Sequence, residues 1–308
     1  MDTIEMKLFL KKNGYSLNHT IGSGAYGTVW RATSNQQTSP CAIKIVDMSR
    51  MCAKERKLIE NEVEILTSSR HPHIVRVYEV LRTKRFMYIV MEYLKGGDLI
   101  DRFEAKQMTE LETANIALQL FSALDFLHRH GIAHRDLKLE NIVYATLPNE
   151  GTQVVKLVDF GFAHRFTLGK KVIQNCGTPY YMSPQVANCE PCNPFQVDIW
   201  SVGIILYTLI VGQFPFYGFT RRGVAHMVTK THPKFSGGQW ADCTPQFKDM
   251  VASLLRKAEE GRPNASEAMK ILQELNCETH LQQVPEYTRK HSFFDNFFKR
   301  PFDLILSQ

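Results

Sequence analysis

The stretch "HRDLKLEN" at 134–141 sets His134, Arg135 and Lys138 beside Asp136, Glu140 and Asn141. A surface helix can carry such a mixture as a solvated face. The alternative is a loop that handles a substrate proton, a metal ion and a phosphate together. Opposite charges held close also lower one another's cost of desolvation. A second group with chemistry is "IGSGAYGTV" at 21–29, a G-x-G-x-x-G run, with Lys44 following in "CAIK". Three readings are open for it: a glycine-rich hairpin with no ligand, a dinucleotide-binding turn, or a hairpin whose backbone N–H groups approach phosphate oxygens. The dinucleotide turn requires the glycines to open a helix, whereas "TVWRATS" continues as strand. A lysine ending an apolar Ala-Ile step beside a glycine hairpin is placed to hold phosphates, and orienting it takes a carboxylate. "IENEVEIL" offers Glu60, Glu62 and Glu64. Glu62, four residues before Leu66 and one turn after Leu58, falls on the inward face and is the expected partner.

The elements that must position these groups follow from periodicity. "GYSLNHTIGSGAYGTVWRATS" and "SPCAIKIVDM" read as strands, and "IVRVYEVLRT" with "RFMYIVMEYL" as a hairpin. From Lys54 to Leu66 the apolar spacing is helical, and "GGDL" at 96–99 ends the strand pattern. Beyond it "ELETANIALQLFSALDFLHRHG" is a long amphipathic helix stopped by Gly131. The expected organisation is an N-terminal extension (1–14), a main domain (15–276) divided near 94/95, and a separate tail (277–308).

Composition bounds the function. The 308 residues are 44% hydrophobic and 22% charged, an ordinary globular balance. The net charge of +6 is spread along the chain, so no nucleic-acid partner is expected. The longest apolar run is "VGIILYTLIVG". It is half of the roughly 20 residues a membrane span needs, so no membrane partner is expected. The N-terminus lacks the pattern of a secretory leader. Seven cysteines, of which only Cys189 and Cys192 flank two residues ("CEPC") and have no partner pair elsewhere, read as reduced thiols of a cytoplasmic or also nuclear protein.

In order along the chain stand "GSGAYG", "AIK", "HRDLKLEN", "DFG" and "SPQ", the last in place of A-P-E. In this order and at this spacing they resemble a eukaryotic protein kinase over residues 15–276. The resemblance implies an α+β, two-lobed fold: a small strand-rich N-lobe with one main helix (15–94) and a larger helical C-lobe (95–276). It implies ATP and Mg2+, with phosphoryl transfer to protein hydroxyls. Gly22, Ser23, Gly24, Ala25, Tyr26 and Gly27 would cover the phosphates, and Lys44, oriented by Glu62, would hold them. Asp136 would accept or orient the proton of the attacking hydroxyl, and Lys138 would meet the γ-phosphate. Asn141 and Asp159 would bind magnesium. Met91 would back the adenine pocket, the backbone of Glu92 and Leu94 would bond the adenine edge, and Ile21, Val29, Ala42 and Val143 would sandwich the ring. Asp198 in "DIW" would anchor the catalytic loop.

Finer features most resemble those of the calcium/calmodulin-dependent kinases: "DFGFA", "CGTPYYMSP", "DIWSVGIILYTLIVGQFPF" and an extra hairpin "YATLPNEGTQ" before "DFG". "DLKLEN" and "GTPYY" resemble Ser/Thr kinases, Phe162 after "DFG" the serine-preferring ones. Asp98, with Glu140 near it, resembles the acids by which basophilic kinases read an Arg or Lys upstream of the target. Two departures stand out. Gln185 replaces the A-P-E acid, so its bond to Arg262 becomes a neutral one. Gln174 stands where relatives often carry a phosphorylatable threonine, so Arg135 lacks a phosphate partner, and activity without phosphorylation there is expected. Thr178 is expected to order its loop beside Asp136. The tail "YTRKHSFFDNFFKRPFDLILSQ" has two readings: a calmodulin-binding or autoinhibitory helix using Phe293, Phe294, Phe297 and Phe298, or a segment docked on this protein's own surface by those rings. Pro301, Asp295 and Asp303 favour the second. A pseudokinase or nucleotide-binding scaffold without transfer is the competing function, disfavoured because Lys44, Asp136 and Asp159 are all present.

Overall fold

The computed structural model describes residues 2–24, 27–36, 38–105, 107–146 and 153–279. Within these the chain forms two compact units, Met1–Lys95 and a second beginning at Gly96. The class is mixed α+β, with a strand-rich first unit and a helical second one.

The first unit runs α1 (Asp2–Lys12), β1 (Tyr15–Gly24), β2 (Gly27–Ser34), β3 (Cys41–Asp47), α2 (Ala53–Ser68), β4 (Val77–Arg82) and β5 (Phe86–Glu92). Its antiparallel sheet has the order β1-β2-β3-β5-β4. Alternation sends Cys41, Ile43 and Ile45 of β3 to one face, where they bury with Phe86, Tyr88 and Val90 of β5. The other face carries Val46, Met87 and Ile89 against Ile59 and Val63 of α2. Helix α2 begins where the Glu55 carboxylate accepts the Cys52 backbone N–H at 2.8 Å, half of a capping box.

Within 15–94 the one main helix is α2, and the stretch before it, expected as an extension, forms α1. This helix buries Leu10 fully in the first face, with Met6 and Phe9 packed against it and Phe9 stacked 5.2 Å from Tyr88. Residues expected as an extension are thus part of the unit's core. The sequence hides this because Ile4 and Leu8 of the same helix are 67% and 62% exposed. Its apolar residues therefore do not mark one face.

The second unit runs α3 (Leu99–Ala105), α4 (Glu110–Arg129), β6 (Ile132–Ala133), β7 (Ile142–Thr146), β8 (Gln153–Leu157), β9 (His164–Arg165), α5 (Pro184–Ala187), α6 (Pro194–Val211), α7 (Arg221–Lys230), α8 (Pro245–Leu254) and α9 (Ala265–Thr279). Thr109 caps α4, its hydroxyl accepting the Glu112 N–H at 3.2 Å while the Glu112 carboxylate accepts Thr109 N–H at 2.8 Å, a reciprocal capping box. Helix α4 ends at Gly131, whose φ of 70° suits glycine and turns the chain into β6. Helix α6 starts from Asn193, whose side chain accepts the Phe195 N–H at 3.0 Å, with Pro194 opening the helix where its missing N–H costs nothing. By length and composition α6 could cross a membrane, yet 89% of it is buried inside the protein. Its apolarity is that of a core helix, packed by α4 and α8.

Candidate functional site

In the first unit, β1 and β2 form the hairpin expected from the glycine run, with Gly24 opposite Gly27. Gly22, Ser23 and Gly24 are exposed; Ala25 and Tyr26 lie outside the described residues. A Cβ on Gly27 would stand 2.2 Å from the Ile45 carbonyl oxygen, so only glycine lets β2 start this close to β3. Cross-strand register pairs Val29 with Lys44 and Ala42 with Met91. Direct cross-strand neighbours share a face, so Val29, Ala42, Lys44 and Met91 project from the same side of the sheet. Ile21 lies in an irregular part of β1 and is 41% exposed.

Lys44 reaches Glu62 of α2, with Nζ 2.5 Å from Oε1 and side-chain exposures of 16% and 2%. Of the three candidate acids, Glu60 turns outward to Arg82, 2.6 and 2.7 Å away. Burial of a carboxylate is unfavourable without a cation, so the pair fixes both side chains at once. At the end of β5, Glu92 donates its backbone N–H to the Arg76 carbonyl at 2.9 Å, and its carboxylate accepts Arg76 N–H at 2.7 Å. Leu94 follows in the strand-free stretch after β5.

In the second unit, the opening stretch is a loop and not a helix face. Asp198 of α6 is 1% exposed and accepts backbone N–H groups from His134 at 2.9 Å and Arg135 at 2.8 Å. Those bonds hold Arg135 at φ 70°, a conformation unfavourable for a side chain of its size. Asp136 comes next. Its Oδ1 accepts the Thr178 hydroxyl at 2.9 Å and backbone N–H at 3.1 Å. Its Oδ2 lies 2.9 Å from Lys138 Nζ, and the Asn141 amide donates to the Asp136 carbonyl at 2.9 Å. Burial works against charge on Lys138, but the carboxylates of Asp136, Glu140 and Asp159 outweigh it and raise the lysine's pKa. Lys138 is therefore a fixed cation at neutral pH.

Asp159 is exposed and takes a φ of 57°, while Phe160 is fully buried with its ring 4.8 Å from His134. The Val158 N–H donates to the Asn141 carbonyl at 2.9 Å, tying this loop to the first. Asn141 spends its amide N–H on Asp136, leaving an oxygen to face a ligand. With the Asp159 carboxylate this makes a hard-oxygen donor set, which fits Mg2+. No group of three His, Cys, Asp or Glu suited to a metal occurs among the described residues. A cation here would complete its shell with water and substrate phosphate oxygens, as magnesium commonly does.

The two departures have structural answers. Gln174 is 1% exposed, and its carboxamide oxygen accepts the Arg135 Nε–H at 3.0 Å, so the arginine does have a partner. Gln185 accepts from Arg262 Nη2 at 2.8 Å and donates to the Lys257 carbonyl at 2.7 Å. Burial pushes the Arg262 pKa down to about 10, and a neutral residue at 185 does nothing to oppose it.

Asp98 uses one oxygen to accept the Asp101 N–H at 2.9 Å at the start of α3, and burial raises its carboxyl pKa. Glu140 likewise has a pKa raised by burial, and its Oε2 is shielded from solvent without a hydrogen-bond partner among the described residues. Val143 of β7 is half-buried and bridges to Asp98.

Two residues that the sequence did not single out complete the loop. His128 of α4 places Nε2 2.9 Å from Asp198, and the buried Tyr181 accepts the Leu139 N–H on its hydroxyl at 3.3 Å. Their roles arise from contacts 70 and 42 residues apart in sequence, which no local pattern marks.

This geometry can hold a hydroxyl against a carboxylate, a cation against oxygen donors and a phosphate against lysine. The family model "Protein kinase domain" matches residues 15–272. The chain is 36% identical over 220 residues to the human NUAK family SNF1-like kinase 1, covering 71% of this chain and 32% of the relative. It is 33% identical over 261 residues to human myosin light chain kinase 3, covering 83% and 31%. It is 33% identical over 243 residues to calcium/calmodulin-dependent protein kinase type 1 of Caenorhabditis briggsae, covering 78% and 67%. The chain thus spans about a third of the length of the first two.

Proposed function

This chain belongs to the protein kinase family, among the Ser/Thr kinases of the calcium/calmodulin-dependent group, and from that premise we propose that it transfers the γ-phosphate of ATP to serine and threonine hydroxyls of other proteins. The observation that carries this reading is the Asp136 carboxylate, which receives a hydroxyl (that of Thr178) at 2.9 Å while Lys138 stands 2.9 Å from its other oxygen. A substrate hydroxyl in the same environment would be oriented for attack and would find a base for its proton. Positive charge fixed by Lys138 meets the negative charge that gathers on the phosphoryl group. In the first unit, the glycine hairpin and the Lys44–Glu62 pair suit polyphosphate. Asn141 and Asp159 would hold Mg2+, which when bound neutralises phosphate charge.

Serine preference is supported by Phe162 after "DFG" and basophilic selection by Asp98 and Glu140. The buried Glu140 Oε2 has no partner among the described residues. Such an oxygen is unfavourable, and a substrate arginine would satisfy it. The tail, residues 277–308, regulates this activity in our reading, by docking on the chain itself or by binding calmodulin. Most of it lies outside the described residues. The free thiols Cys41, Cys52, Cys176, Cys189, Cys192 and Cys243 support a cytoplasmic or nuclear setting.

The test is transfer of labelled phosphate from magnesium-ATP to a library of Ser-, Thr- and Tyr-centred peptides. Transfer to Ser peptides with an upstream Arg, reduced by Glu140→Gln, is the expected result. Magnesium-ATP binding with no transfer to any peptide would instead establish a nucleotide-binding scaffold.

A further inference from the structure

The longest acid-free stretch of the second unit runs from 199 to 241, and it contains Arg221, Arg222, His226, Lys230, His232 and Lys234. In α7 the residues Arg222, His226 and Lys230 recur at every fourth position, and all are exposed, as is Arg221. They form a basic stripe about 12 Å long at the helix rise of about 1.5 Å per residue. None of these side chains makes a hydrogen bond or ion pair among the described residues. Elsewhere in the unit some exposed cations are paired, as Lys171 is with Glu259 and Glu260, while the isolated Lys170 and Lys270 are exposed without a partner among the described residues; what sets α7 apart is that its cations fall in one stripe.

Just before the stripe the chain exposes aromatic rings. Phe219 is 87% exposed and Tyr217 44%. They continue an inward ladder: Phe219 edge-on to Tyr217 at 5.4 Å, Tyr217 parallel to Tyr180 at 6.1 Å, and Tyr180 stacked on Phe214 at 4.8 Å. The Tyr180 hydroxyl donates to the Gly218 carbonyl at 3.1 Å, so the exposed loop is held rather than loose. Tyr180 is two residues from Thr178, whose hydroxyl occupies Asp136.

We infer that Tyr217, Phe219 and the basic stripe of α7 form a docking surface for an acidic segment of the protein substrate, carrying an apolar or aromatic side chain as its anchor. The rings offer a flat apolar contact, and the unpaired guanidinium groups offer forked donors to carboxylates. In the free protein only water meets these cations and rings, and an acidic, apolar-anchored segment would pair the cations while covering the rings. The ladder's continuity with Tyr180 favours the phosphoacceptor protein as occupant over a nucleic acid or a membrane. The inference rests on the phosphoryl-transfer reading and adds a second recognition element, chemically opposite to the acids at 98 and 140.

The test uses two acceptor peptides identical except for a distal extension, one with Phe among Glu residues and one with Phe among Gln residues. An acidic peptide without any hydroxyl residue, read by fluorescence polarisation, measures docking alone. The acidic extension is expected to lower KM about three- to tenfold with kcat unchanged, from a few exposed ion pairs. Added salt shrinks the effect. In the double variant Arg221→Glu/Arg222→Glu, and in Phe219→Ser, the advantage disappears while transfer to the unextended peptide stays the same. An extension without effect, or one whose effect survives charge reversal, overturns the inference. Binding of oligo-dT or of anionic phospholipid vesicles through these residues, with no binding of the acidic peptide, overturns it as well. If no peptide is phosphorylated yet the hydroxyl-free peptide binds the wild type and not the double variant, the surface stands and the kinase reading falls.

Discussion

Replacing Asp198 by asparagine changes a single atom type at the centre of the loop's support. The carboxylate offers two acceptors to the His134 and Arg135 N–H groups, at 2.9 and 2.8 Å, and is buried to 1% exposure. Asparagine offers one acceptor and one donor, so one of these N–H groups would face an N–H. Losing a charge-assisted bond and burying an unsatisfied donor costs together about 3 kcal/mol. Letting Arg135 leave its left-handed conformation recovers about 1 kcal/mol of strain. The net loss of about 2 kcal/mol lowers Tm by about 4–8 °C for a domain of this size. Relaxation at Arg135 moves Asp136, its neighbour, so transfer at room temperature should fall about tenfold or more even while the variant is folded. Differential scanning calorimetry with a parallel phosphoryl-transfer assay reads both quantities. A variant that melts at about the wild-type temperature and keeps its rate would refute the view that Asp198 fixes the loop through those two bonds.

Protein made free of phosphate, as verified by mass, should already transfer phosphate. Gln174→Ala should lower its kcat by removing the acceptor on Arg135; dependence of the wild type on prior phosphorylation at Thr167 would contradict this. Glu62→Gln should cut kcat/KM about tenfold or more, since Lys44 loses its carboxylate, whereas Glu60→Gln, at the outward pair with Arg82, should stay within about twofold. Lys257 has its pKa pulled down to about 8 by burial and by Arg262. The folded state then holds fewer protons than the unfolded one between about 8 and the ordinary lysine value of about 10.4, so stability rises with pH across that window. Replacing it in Lys257→Met should flatten the rise in Tm across the same window, and an unchanged slope would count against the assignment.

Much of the site could be read from the sequence because its chemical groups stand in short contiguous runs. The glycine hairpin and "HRDLKLEN" each gather their residues within a few positions, although the contacts that fix the second run come from Asp198 and Thr178, far along the chain. Glu62 was separable from Glu60 and Glu64 because helical periodicity alone decides which side faces the sheet. What escaped depends on tertiary contact. Helix α1 carries apolar residues on its exposed as well as its packed side, so its place on the sheet follows only from the partner surface of β3 and β5. His128 acquires its meaning from Asp198, and Arg135 finds a neutral acceptor in Gln174, 39 residues on, where the sequence indicated only that a phosphate partner was missing. The aromatic ladder joins residues from two segments, of which only the run "FPFYGF" is visible as unusual composition.

A single-turnover rate of phosphoryl transfer, measured for wild type and Asp136→Asn beside the Kd of each for magnesium-ATP, addresses the role assigned to Asp136. Removing a positioned base should slow transfer about 10²- to 10⁴-fold while the Kd stays within about threefold. Equal rates in the two proteins, or a loss traceable wholly to weaker ATP binding, would contradict that role.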